Sequence, residues 1–169
     1  AETLVAGFRA LGYAAEHRLN VCRIGVPTIV LGAHLIQPRD FDVFPAGAIV
    51  YNLEQVRPGA WAAHPDYLRI LATHTVWDCD ATSVQEIVAA TGNTDVHHVA
   101  IGFVPELARI VPAPDQDIDV LFYGSLTPRR EAILQGLAAT GIRVQAAIGV
   151  YGAERDALIA RARVVLNMH

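Results

Sequence analysis

Short apolar runs that alternate with helix-patterned segments constrain the fold of this chain more than any single residue does. Thr28-Ile29-Val30-Leu31 follows Pro27, and Ala48-Ile49-Val50-Tyr51 follows Gly47. Both runs are short, β-branched and uninterrupted, the pattern of strands buried on both faces. Between and after them come helix patterns. Leu4, Val5, Phe8 and Leu11 make an apolar stripe closed by Gly12. Residues 65–72 read as a short helix, and 73–77 as a strand ending at Asp78. Ser83 and Glu86 have capping-box spacing, Val84, Ile87, Val88 and Thr91 share one face, and Gly92 closes that helix. Residues 96–101 follow as a strand.

The segment 102–119 carries Pro105, Pro112, Pro114 and several acids, so it reads as a connection between two units. Beyond it the order restarts: strand 120–123, helix 128–140, strand 142–148, helix 153–162, strand 164–167. Such alternation predicts an α/β chain with parallel sheets covered by helices. It divides into an N-terminal Rossmann-like lobe over 1–111 and a second over 112–169. A doubly wound lobe normally begins with a strand, whereas this chain opens on a helix and stops as a strand finishes. The pattern therefore predicts a chain cut at both ends, with the second lobe incomplete.

Composition narrows the function classes. With 169 residues, 53% of them apolar and 18% charged, the chain can bury a sizeable core. No apolar run approaches the roughly 20 residues of a membrane-spanning helix, and no signal-peptide pattern is readable at the N-terminus. Cys22 and Cys79 are isolated and favour a reducing compartment, so a cytoplasmic location is expected. The net charge of -4 argues against nucleic acid as a partner. Every basic side chain other than histidine is arginine, which excludes a Walker, Schiff-base or general-base lysine. No zinc or EF-hand spacing appears, and His97 and His98 point to opposite faces of a strand. No metal site is expected.

In open parallel sheets ligands bind beyond the carboxyl ends of the strands. The most informative such segment is Tyr123-Gly124-Ser125-Leu126-Thr127-Pro128-Arg129-Arg130. Gly124 permits a tight turn, Thr127 can cap the helix, and Pro128 suits its first position. Arg129 and Arg130 then meet the positive end of the helix dipole, at a cost of a few tenths to about 1 kcal/mol. Something negative should offset that cost. A diphosphate fits, since helix-end amides and guanidinium forks both match phosphate oxygens. A solvated pair bridging to acids such as Glu131 fits as well. Gly149-Val150-Tyr151-Gly152 repeats the arrangement at the next strand end, where an ordinary tight turn is the competing reading. In the first lobe Glu54, Asp78 and His34 each follow a strand and could serve as a base, or act simply as loop hydrogen-bonding residues.

Taken in order, Gly32-Ala33-His34-Leu35, Tyr51-Asn52-Leu53-Glu54-Gln55, Val76-Trp77-Asp78, Asp119 to Ser125, Gly149 to Asp156 and Val164 to His169 resemble bacterial glycosyltransferases of the two-lobed B type. The likeness spans nearly the whole chain. It implies sugar transfer from a nucleoside-diphosphate sugar to an acceptor, without an essential metal or any cofactor beyond the donor itself. By this resemblance the first lobe holds the acceptor, with Glu54, Asp78 and His34 as candidate bases. Gly124, Ser125, Arg129 and Arg130 fall near the donor diphosphate, Gly149, Tyr151 and Gly152 near the nucleoside, and Asn167 and His169 near the sugar. The sequence stops before the acidic helix start that commonly grips the donor in that family. A sugar-nucleotide epimerase or hydrolase of the same architecture, and a binding module without turnover, are the alternatives.

Overall fold

The computed structural model describes residues 1–23, 25–60 and 63–168. The chain divides into two compact units, Ala1–Val104 and Pro105–His169. Residues 105–111, read above with the first lobe, group with the second unit for local reasons. Arg109 pairs with Asp156, and the Ala113 amide donates to the Ala160 carbonyl at 2.7 Å.

The first unit opens on helix α1 (Glu2–Ala10) and contains strands β1 (Ile29–Leu31), β2 (Ile49–Asn52), β3 (Thr75–Asp78) and β4 (Val96–His98). Short 3-10 turns at Ala33–Leu35 and Pro38–Val43 join β1 to β2. Helix α2 (Pro65–Thr73) joins β2 to β3, and α3 (Ala81–Thr91) joins β3 to β4. The four strands are parallel and lie in chain order β1-β2-β3-β4. Every crossover thus moves in one direction, and right-handed crossovers of that kind stack their helices on one face. The core reflects this. Val50 and Val76 of the sheet pack with Tyr67, Ile70 and Leu71 of α2 and Ile87 of α3, all nearly inaccessible. Tyr51 and Trp77 alternate to the other face, where their rings meet edge to face at 6.1 Å.

In the second unit β5 (Ile118–Tyr123) leads through α4 (Pro128–Ala139) to β6 (Val144–Ala147), then through α5 (Gly152–Arg161) to β7 (Ala162–Val165). The order is β6-β5-β7, all parallel. Here the second crossover reverses direction, so the helices cover opposite faces. Leu121 packs with Leu158 and Ile159 of α5, while Phe122, next in sequence, packs with Leu134 of α4 and Met168. The α/β class and parallel sheets expected from the sequence are what the chain adopts.

Several boundaries differ from the sequence reading. Helix α3 starts before Ser83, because Asp80 takes the cap and its carboxylate accepts the Thr82 amide at 2.7 Å. Strand β4 ends at His98: the Val99 amide reaches the Asp78 carbonyl, the last residue of β3, and no partner strand continues beyond it. Strand β7 starts at Ala162, directly after α5.

Candidate functional site

In the first unit the carboxyl ends of β1, β2 and β3 bring His34, Glu54 and Asp78 to one edge of the sheet. Gly32 has a φ of 76°, a left-handed conformation suited to glycine, which turns the chain out of β1 and into the short turn carrying His34. His34 Nδ1 lies 3.8 Å from Glu54 Oε1; both side chains are partly accessible, at 11% and 29%. A carboxylate beside one imidazole nitrogen favours a proton there. At that separation the two side chains are an electrostatic pair without a direct hydrogen bond.

Asp78 is placed differently. It is buried, its Oδ1 accepts the Asp80 amide at 2.8 Å, and its Oδ2 accepts Asn52 Nδ2 at 2.6 Å. Burial pushes its carboxyl above the usual range, against the opposing pull of the Asp80 and Asn52 hydrogen bonds. Both oxygens being committed inward, Asp78 acts as an anchor for the strand ends. Sequence reasoning missed the partner that makes this edge cohere. Tyr67 of α2 donates its hydroxyl to Asn52 Oδ1 at 2.6 Å and meets the His34 ring edge-on at 5.9 Å. Burial, with the nearby Glu54 and Asp78 charges, holds its phenol well above the usual tyrosine range, so it remains a donor.

In the second unit the reversal of strand order puts a switch point between β5 and β7, where parallel sheets characteristically open a ligand crevice. Gly124, with a φ of 135°, turns the chain out of β5. Thr127 caps α4 through the Arg130 amide at 3.3 Å, and Pro128 takes the first position. Arg130 then folds back. Its Nη1 donates to the Ser125 carbonyl at 2.8 Å and its Nη2 to the Met168 carbonyl at 2.7 Å, and its guanidinium lies over the Phe122 ring at 5.8 Å. Two carbonyl dipoles and a ring face thus offset the unfavourable position on the helix dipole. Arg130 ties the β5–α4 loop to the chain leaving β7, and Arg129 is exposed beside it. Asn167, also exposed, lies next to Met168 on that outgoing segment.

Gly149 and Gly152 both have positive φ, at 72° and 56°, and flank Tyr151, which is 79% exposed. The first turn of α5 carries Glu154. Both helices carry one acid in the first turn, Glu131 in α4 and Glu154 in α5, and α4 sets two arginines beside it. His169 lies outside the described residues.

Elsewhere, Asp95 accepts from Thr75 Oγ1 and sits 2.7 Å from His97 Nε2. The acid lies between hydroxyl and imidazole, so the histidine does not reach the hydroxyl and no nucleophile–base pair results. His98 turns instead to the Cys79 carbonyl at 3.3 Å. Among the described residues no group of three or more His, Cys, Asp and Glu could hold a metal ion, and no helix is long and apolar enough to cross a membrane.

No family model matches the chain. A stretch of 55 residues, 32% of the chain, is 36% identical to an uncharacterized protein of Acanthamoeba polyphaga mimivirus, of which it covers 6%.

Proposed function

We propose that this chain carries the acceptor and donor elements of a nucleotide-sugar glycosyltransferase. The observation that carries the reading is the switch point of the second sheet. There a glycine turn, the amino end of α4 and two consecutive arginines converge beside the segment bearing Asn167. Amides around a helix start and a guanidinium suit a diphosphate. Arg129 takes the phosphate-contact role, and Arg130 holds the loop that presents the amides. In the first unit the His34–Glu54 pair supplies a base for an acceptor hydroxyl, and Asp78 supports it from beneath.

In such a transfer the acceptor oxygen gives its proton to a base as it bonds to the sugar carbon, and the carbon–oxygen bond to the diphosphate breaks; His34 is the first unit's candidate for such a base. Arg129 and the amides of the Gly124 loop stabilise the negative charge that develops on the departing diphosphate. The test is calorimetric titration of UDP, GDP, ADP and dTDP into the complete protein. At least one should bind, and Arg129→Ala should weaken it by about tenfold or more, the scale of a lost charge-assisted hydrogen bond. Binding of none of the four, or binding unchanged in the Arg129→Ala, Arg130→Ala double variant, would overturn the donor assignment.

A further inference from the structure

We infer that Asn52 and Tyr67 are positioning residues that jointly set the His34–Glu54 pair. The inference rests on the reading of that pair as the proton-handling group of the first unit, and is independent of the donor assignment.

Asn52 ends β2 and is 1% exposed. Burying an amide is costly unless each of its hydrogen-bonding positions is filled, and here all four are. Nδ2 donates to Asp78 Oδ2 at 2.6 Å and to the Glu54 carbonyl at 2.8 Å. Oδ1 accepts from the Tyr67 hydroxyl at 2.6 Å and from the Glu54 amide at 3.1 Å. One side chain therefore grips both backbone polar groups of Glu54, which fixes the direction in which the Glu54 side chain leaves the loop. Asp78 and Tyr67 in turn prevent the amide from rotating.

Tyr67 adds the second constraint. It is 1% exposed, in the core between α2 and the sheet, and it meets His34 directly and Glu54 through Asn52. Its hydroxyl reaches Glu54 through Asn52, and the edge of its ring packs against His34. A core residue that packs on the imidazole and reaches the Glu54 backbone through one amide ties the placement of the two residues together. Simple loop fastening requires the Asn52 bonds to Glu54, yet gives no reason for Tyr67 to bridge to His34.

The test is the tautomer ratio of the His34 imidazole, read from its ¹⁵N shifts in the full chain at about pH 9, where histidine is neutral. The Glu54 carboxylate facing Nδ1 should favour the Nδ1–H form, and Glu54→Gln should move the ratio toward Nε2–H. Tyr67→Phe, which keeps the ring and removes the hydroxyl, should move it part of the way. Asn52→Asp, which loses the donor to Asp78, should move it further. Leu71→Ala, in the same core but outside the network, should lower Tm and leave the ratio at its wild-type value. If Asn52→Asp does not fold, Tyr67→Phe decides. The inference is overturned if Tyr67→Phe leaves the ratio unchanged, or if Leu71→Ala shifts it equally. If Glu54→Gln itself leaves the ratio unchanged, the reading of His34 and Glu54 as a coupled pair fails instead.

Discussion

Arg129 and Arg130 are chemically identical neighbours that the fold puts to different uses. Arg130 bonds two carbonyls and covers a buried ring, so its loss releases the β5–α4 loop from the chain after β7. Arg130→Ala should lower stability by about 1–3 kcal/mol, the cost of leaving partly buried acceptors without a charged donor, as measured by urea unfolding. Arg129→Ala, at an exposed position, should stay within about 0.5 kcal/mol of wild type in the same assay. Asp78 offers a second contrast. Its oxygens both accept N–H groups, so an amide at that position must set donor against donor. Asp78→Asn should therefore destabilise the first unit by about 1–3 kcal/mol, seen as faster amide exchange across β2 and β3. This network was not legible in the sequence. His34, Glu54 and Asp78 could be found because each follows a strand, but Tyr67 stands 15 residues from Asn52, and Asp78 stands 26 from it. Nothing local marks such contacts. The carbonyl that holds Arg130 Nη2 lies 38 residues further on, and a carbonyl leaves no trace in residue identity.

At the scale of elements, strands were easier to read than helix starts. β2 shows an uninterrupted apolar run, Ile49-Val50-Tyr51, and Val76-Trp77 of β3 and Val120 to Tyr123 of β5 mark the other two next to an acid. The start of α3 was read from Ser83 and Glu86, while a second capping residue stands three positions earlier. Ser83 and Glu86 have suitable spacing, yet Asp80 comes first and its own amide is already held by Asp78 Oδ1. That bond fixes the residue in the extended conformation a cap requires, so the helix starts there. Asp80→Ala should cost about 1 kcal/mol, while Ser83→Ala, inside the first turn, should change stability by less than about 0.5 kcal/mol. Thermal unfolding of the two variants checks the assignment. Thr127 and Pro128 start α4 as read, with the Thr127 hydroxyl accepting the Arg130 amide and Pro128 in the first position.

Across the whole chain, the two units should answer acid differently. In the second, Asp117, Asp119 and Asp156 pair with Arg161, Arg143 and Arg155, which hold all three carboxyls below the usual range. A depressed carboxylate stabilises the fold above its unfolded value of about 3.9 and loses that contribution as pH falls toward the folded value. In the first unit Asp95 and Glu16 are lowered as well, but the buried Asp78 has the opposite sign and offsets them. Its raised carboxyl favours the fold most below about pH 3.9 and gives that up as pH rises through the folded value. On acidification from about pH 5 to 2, amide exchange should accelerate more in β5–β7 than around β2 and β3. Equal acceleration in both units would show that the exposed arginine pairs are too screened to matter.

The reversed strand order of the second unit also makes β5 a single point of failure. Leu121 and Phe122 are adjacent in the chain but belong to cores on opposite faces, one under α5 and one under α4. A one-residue slip of β5 exchanges every inward side chain for an outward one. Both cores would then receive the wrong residues at once, and the turn at Gly124 would leave the sheet facing away from α4. An insertion here misaligns two layers and the proposed phosphate loop together. Drift in the length of this six-residue strand is thus the change least compatible with any ligand-binding role for the unit.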